Sequence, residues 1–382
     1  MYDLILRNGR IVDPANGSDS TGDVAFRDGR VAAVGGHIEG ASREARDVSG
    51  RIVAPGLIDL HAHVYNLGTS LGVDPEHVAD ISGATTLVDA GSAGAGIFAG
   101  FRRHVIERGR TRILAFLNIS HPGIFGFGAP INVGECQDMR LVHAGECVRV
   151  AREHADLIVG VKVRIGDNTS DGIRPLEVAI EAARELKLPL MTHIGKPPPS
   201  IGAVVALLQK GDILTHCCRP APNAPMLTDG AVCEEYRAAR QRGVIFDVGH
   251  GAGSFGFRTA RAMLAAGFLP DTISSDVHQS SIRGPAYNLL VTMSKFLNLG
   301  VDVVDIVRMT TTVPAAAVGH RELGHLGIGA VGDASVLDIE AGRFTFTDAI
   351  GETVTGEQQF AAVARVVGGK LIGNDGQATA QR

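Results

Sequence analysis

Tryptophan is absent from the 382-residue chain, and aromatic residues make up only 5% of it. That scarcity tells against a large aromatic binding surface. The five cysteines, Cys136, Cys147, Cys217, Cys218 and Cys233, are odd in number and show no C-x-x-C pairing. They argue against a disulfide framework and against a cysteine-built zinc site, and they make the cytoplasm the default compartment. No long basic run occurs and the net charge is -5, so a nucleic-acid partner is not expected. No apolar run is long enough to span a bilayer, and Met1 leads straight into Tyr2-Asp3-Leu4-Ile5 without a basic start and apolar segment. Neither a membrane partner nor a signal peptide is therefore expected.

What is present describes an ordinary globular chain, with 45% apolar and 20% charged residues and length for one large unit plus a smaller one. The 49 glycines suggest many tight turns. Over the first fifty residues, β-like runs alternate with Asn8-Gly9, Asp28-Gly29 and Gly35-Gly36, which read as hairpin signals in a small antiparallel unit. From Pro55-Gly56 the pattern changes to eight β-like runs, near 57–61, 85–89, 112–118, 157–163, 188–192, 212–216, 244–248 and 272–275. Helix-like stretches fall at 138–155, 175–187, 229–242, 257–267 and 286–298. This alternation predicts an α/β fold, a (β/α)8 TIM-like barrel over 55–325, with an open doubly wound sheet as the alternative. β-like runs return after residue 325, so 1–54 and 326–382 are expected to meet in a small β-sandwich. Only the last few residues read as disordered.

Leu57-Ile58-Asp59-Leu60-His61-Ala62-His63 is the sharpest local pattern. Strand alternation puts His61 and His63 on one face, where two neutral imidazoles can grip a metal. His193, His216 and Asp276 each end a later β-like run, the position from which barrel enzymes present catalytic groups. Lys162 lies inside Val159-Gly160-Val161-Lys162-Val163-Arg164. Burial there favours the neutral amine, which can react with carbon dioxide to give an anionic carbamate able to bridge two cations. A salt-bridged or solvent-reaching lysine is the alternative.

These residues resemble the binuclear branch of the amidohydrolase superfamily. Ala54-Pro55-Gly56-Leu57-Ile58-Asp59-Leu60-His61-Ala62-His63 is similar to its opening motif, and Gly329-Ala330-Val331-Gly332-Asp333-Ala334-Ser335-Val336-Leu337-Asp338 to its return segment. Within that superfamily the chain looks closest to the dihydroorotase-like deacetylase metallohydrolases, some of which act on acetylated 2-hydroxy carboxylates. The resemblance implies two divalent ions, zinc first among them. His61, His63 and Asp276 would hold one, His193 and His216 the other, and N6-carboxylated Lys162 would bridge them. It further implies deacetylation of a small N- or O-acetylated carboxylate by a metal-bridging hydroxide, with Asp276 as general acid and base. Position 65 is Tyr, so the H-x-H-x-R pattern typical of dihydroorotases is missing, which favours an acyl deacetylase.

Arg164, His250, His278, Asn118 and Arg283 are the candidate substrate contacts, each balanced by a structural role as an ion-pair or loop residue. A cyclic amidase or an isoaspartyl dipeptidase is the alternative hydrolase. Gly251-Ala252-Gly253-Ser254-Phe255-Gly256 matches G-x-G-x-x-G, with Asp276 following, so a nicotinamide-dependent oxidoreductase is a rival. A non-catalytic scaffold is the other rival. The expected partner is a small acylated molecule, and a homo-oligomer is in keeping with similar enzymes.

Overall fold

Alternating apolar side chains and a two-residue turn build the first sheet. The computed structural model describes residues 1–128, 131–226 and 230–373. β1 (Tyr2–Asp13) pairs antiparallel with β2 (Ser18–Arg27), and β2 with β3 (Arg30–Gly35). Asp28 and Gly29 join β2 to β3 with φ of 53° and 74°, the left-handed pair that such a hairpin needs. Asn8-Gly9, by contrast, is not a hairpin turn. It sits inside β1 as a register shift between Leu6 and Gly9. The reason is tertiary: the buried Asp23 carboxylate accepts from the Asn8 N–H at 2.9 Å and pairs with Arg7 at 2.6 Å, so the bulge is satisfied within the sheet.

β4 (Ser42–Asp47) and β5 (Ile52–Pro55) run parallel to β1. Seven parallel strands follow, each hydrogen-bonded to the next: β6 (Leu57–Ala62), β7 (Ala84–Gly94), β8 (Arg112–Asn118), β9 (Ile158–Ile165), β10 (Leu190–Ile194), β11 (Ile213–Thr215) and β12 (Ile245–Asp247). The expected eighth strand at 272–275 is an irregular segment. Thr272 nevertheless bridges in parallel to Asp247, and Val277 to Ala62. The Val248 N–H donates to Thr272 O at 3.0 Å, and the His63 N–H to Val277 O at 2.9 Å. The two edges of the sheet are thereby joined through 272–277.

The strands are apolar on both faces because each face is covered. Ile58, Leu60, Val88, Phe116, Met191 and Ile213 form one cluster with Ala315, Val318 and Leu323. Phe116 occupies the space a side chain at Gly160 would fill, with ring carbons 2.3 Å from the position of its Cβ, so only glycine fits there. The outer face packs on amphipathic helices such as Arg174–Leu186, which buries Leu176, Ala179, Ala182 and Ala183. The helices expected at 138–155, 229–242 and 286–298 are shorter, at Ala144–Glu153, Glu234–Arg242 and Leu289–Asn298. Position 229 lies outside the described residues.

The chain then returns to the first sheet. β13 (Ala334–Thr347), β14 (Thr353–Val367) and β15 (Lys370–Gly373) complete the strand order β15-β14-β13-β5-β1-β2-β3, with β4 on β1. The two chain ends meet as expected, at Ser335 opposite Ala54. Their hydrogen bonds form one continuous mixed sheet around Leu4, Leu6, Val24, Phe26, Val53, Val336 and Val366. The residues read as a disordered end, 374–382, lie outside the described residues. Among the described residues no helix is long and apolar enough to cross a membrane.

Candidate metal centre

The C-terminal ends of the parallel strands surround a cavity of about 810 Å³ whose walls include His61, His63, Lys162, Arg164, His193, Asp276 and His278. His61 and His63 reach it from the end of β6, where strand alternation gives them a common face. His63 Nε2 and His61 Nε2 lie 3.2 and 3.3 Å from Asp276 Oδ1. His193 arrives from β10 and His216 from the turn after β11, with 2.7 Å between His216 Nε2 and His193 Nδ1. Donor atoms of His61, His216 and Asp276 all fall within 4.8 Å of one another. His61, His63, Lys162, His193 and Asp276 thus line one cavity, and His216 joins them through His61, Asp276 and His193.

Surrounding hydrogen bonds orient the imidazoles. His216 Nδ1 lies 2.6 Å from Gly249 O. Only an N–H can face a carbonyl there, so Nε2 keeps its lone pair toward His193 and the cavity. His61 Nδ1 lies 2.8 Å from Thr215 Oγ1, whose hydroxyl donates to Asp247 Oδ2 at 2.7 Å. The hydroxyl must therefore accept from His61 Nδ1–H, which frees Nε2. Thr272 and Ser274 hold Asp247 in turn, at 2.7 Å each. His63 Nδ1 rests 2.9 Å from Ser92 Oγ, beside the Asp89 carboxylate that accepts the Ser92 N–H. Partners of this kind typically hold a metal-binding histidine in place. Thr215→Val breaks the His61–Thr215–Asp247 chain without changing side-chain shape. The expected result is a metal affinity lower by about 10–100-fold, read by titration against a competing chelator. Unchanged affinity would show that the chain only packs.

Burial sets the charge states. It pushes His61, His193 and His216 well below the usual imidazole range and His63 down to about 3. These rings are neutral, as metal ligation requires. Burial also lowers Lys162 to about 7, opposed by the charge of Asp276, and raises Asp276 to about 6. Lys162 is fully buried, and its Nζ has no hydrogen-bond partner among the described residues. An orphaned amine facing four imidazoles and a carboxylate fits a site built to hold cations, where an amine or its carbamate would find a partner. His216 and Asp276 share a further trait: both adopt left-handed backbone, with φ of 68° and 46°. Such strain in non-glycine residues gathers at functional positions.

The substrate candidates divide. Arg164 and His278 line the cavity. Arg164 pairs with the buried Glu135 at 3.2 Å, and the His278 ring lies 6.1 Å from that of His63. His250, Asn118 and Arg283 are not among the lining residues. His250 is buried, stacked on Phe255, with Nε2 2.6 Å from Lys295 Nζ. Asn118 donates to Gly91 O and accepts from the Ser120 N–H, which makes it a loop brace. Arg283 is exposed. Tyr65 also turns away, its ring stacked on Phe101 at 4.7 Å. The G-x-G-x-x-G run has a local cause: a Cβ at Gly251 would sit 2.2 Å from Asp276 Oδ2. Its glycine makes room for the aspartate, while Ala252, Gly253 and Ser254 form cavity wall. Sequence reasoning missed Arg219, Lys196, Asp167 and Phe127 on the wall, since charged or aromatic loop residues carry no periodic signal.

The model of the amidohydrolase family matches residues 52–372. This chain belongs to the amidohydrolase family. A deacetylase of Agrobacterium fabrum is 33% identical over 97% of this amidohydrolase and 91% of its own length. A deacetylase of Enterococcus faecalis is 32% identical over 98% of the chain and 100% of its own length. Among solved structures, that of an adenine deaminase superposes with a TM-score of 0.92 at 31% identity, covering 98% of this chain and all of that one. That of a dihydroorotase gives 0.89 at 32% identity, covering 98% and 99%. The fold is accordingly TIM-barrel-like, the chain is a hydrolytic enzyme of a family that generally binds divalent metals, and it carries a His/Asp cluster.

Proposed function

We propose that this amidohydrolase removes the acetyl group from a small N- or O-acetylated carboxylate. The observation that carries the reading is the convergence of His61, His216 and Asp276 donors within 4.8 Å of one another, at a cavity that Lys162 also lines. Deacetylase relatives spanning nearly the whole chain support it. His61, His63, His193, His216, Asp276 and N6-carboxylated Lys162 would hold two divalent cations, zinc being the one that imidazole and carboxylate donors favour. When bound, they supply Lewis acidity that polarises the acyl carbonyl and acidifies water.

The chain's own groups do the rest. Asp276 Oδ1, held between His61 and His63, takes the proton of the attacking water and returns it to the leaving nitrogen or oxygen. His278 stands at the cavity wall next to His63, placed to donate to the substrate. Arg164 fixes the Phe127 side of the cavity, with its guanidinium 5.0 Å from that ring. In the same reading 55–325 is the catalytic unit, the two chain ends form the β-sandwich that supports it, and the enzyme works in the cytoplasm. Cyclic-amide hydrolysis is the second reading. The dihydroorotase likeness favours it, while Tyr65, packed on Phe101, opposes it.

The test is a hydrolysis screen of purified, metal-loaded protein. N-acetyl and O-acetyl carboxylates are run beside dihydroorotate, hydantoins, isoaspartyl dipeptides and adenine. The acetylated carboxylates are expected to lead in kcat/KM, with loss of turnover on chelation and recovery on adding divalent metal. A cyclic amide or adenine in the lead would overturn the deacetylase reading.

A further inference from the structure

Besides Lys162, three basic residues stand on the cavity wall: Arg164, Lys196 and Arg219. Their surroundings differ. Arg164 is compensated by the buried Glu135 at 3.2 Å. Lys196 is exposed, so water solvates its ammonium. Arg219 is only 7% exposed, and no ion pair compensates it among the described residues. One guanidinium nitrogen, Nη1, donates to Ile194 O, and Nε is buried with no hydrogen-bond partner among the described residues. Asp167, the carboxylate whose charge Arg219 senses, is an exposed residue of the cavity wall and does not pair with it.

An arginine cannot escape burial by losing its proton, and an unpaired buried charge is costly. Satisfying one carbonyl does not account for that cost, because a neutral amide side chain would serve. The placement is also specific. The Arg219 N–H closes a turn on His216 O at 3.1 Å, while its side chain grips the carbonyl next to His193. The strand ends that carry His193 and His216 therefore aim this guanidinium along the wall of the same cavity.

We infer that Arg219 is the substrate-anion site: its guanidinium binds the carboxylate of the acylated substrate and sets the preference for anionic over neutral compounds. This assignment rests on the hydrolase reading for its substrate class, and it supplies a residue for the carboxylate. Charge-assisted arginine–carboxylate bonds are the strong ones, and a two-pronged contact needs the planar fork.

The experiment uses metal-loaded protein carrying Asp276→Asn, so that ligand is bound and not consumed. It is titrated calorimetrically with N-acetylglycine and, separately, N-acetylglycinamide. The acid is expected to bind about 10–100-fold more tightly than the amide. Adding Arg219→Gln, which keeps a donor for Ile194 O, should erase that preference, and Arg219→Lys should keep part of it. Melting temperature and metal content show that each variant is folded and loaded; should the Gln variant fail there, the Lys variant carries the comparison. Equal binding of acid and amide by the Arg219 protein, no binding of the acid, or a full preference surviving either substitution would overturn the inference. Turnover by the parent enzyme is scored separately. An Arg219-dependent acid preference without hydrolysis of any acetylated acid would sink the deacetylase reading and leave the anion site standing.

Discussion

Replacing Lys162 with alanine is expected to abolish hydrolysis, lowering kcat/KM by about 10³-fold or more, and to leave the protein short of its full metal complement. The expectation follows from where the amine sits. Its Nζ is fully buried, without a hydrogen-bond partner among the described residues, and lowered to about 7 by burial, which favours the neutral amine needed to form a carbamate with carbon dioxide. The nitrogen attacks the carbon, a proton leaves, and an anionic group with two oxygens results. No other anionic side chain but Asp276 is among the proposed ligands, so losing the carbamate removes half of the protein charge that offsets the cations. Lys162 Nζ has no hydrogen-bond partner to strand among the described residues, so the fold should survive with a cavity defect. Metal analysis and a thermal melt separate loss of ligand from loss of fold. Acetate or propionate, small enough to enter the vacated space, should restore part of the activity. Full activity without added acid would refute the bridging role.

Asp276→Asn should cost about 10²–10⁴-fold in kcat with folding unchanged. Asparagine is the informative substitution at this position. Asp276 has a φ of 46°, a left-handed backbone that asparagine adopts readily and most residues resist. The amide keeps the size of the carboxylate and the Asp276 N–H bond to His61 O, 2.7 Å in length. It cannot take a proton from water, nor offer a second anionic oxygen beside His61 and His63. Alanine would mix this chemical loss with backbone strain. Rapid kinetics should show the chemical step slowed, with substrate affinity within a few-fold of the parent. Near-normal turnover would remove Asp276 from proton transfer.

The residues behind both predictions were legible in the chain, partly from strand periodicity and partly from the family resemblance. Two residues apart at the end of β6 means one face, which brought His61 and His63 together, and a lysine between valines on β9 was expected to be buried, with a salt-bridged or solvent-reaching lysine as the alternative. Loops have no such rule. His250 ends the seventh run just as His193 ends the fifth, yet its ring turns back onto Phe255 and Lys295, because Lys295 comes from a helix 45 residues later. Asn118 faces its own loop backbone. Tyr65 continues the alternation of His61 and His63 on paper, but the chain has left β6 by then, and the ring finds Phe101. The Asn8-Gly9 pair has turn chemistry, and the distant carboxylate of Asp23 converts it to a bulge.

By itself the amino-acid order determined the alternation of strands and helices, the meeting of the two chain ends, and the set of residues able to ligate a cation, since each depends on local spacing or side-chain chemistry. Only the tertiary structure decided which cations on the cavity wall are already neutralised, which histidine nitrogens keep their lone pairs, and that Arg219 stands uncompensated beside His193 and His216. Those properties arise from charges and hydrogen-bond partners far apart along the chain, brought within a few ångströms, where burial makes each pairing, or its lack, energetically large.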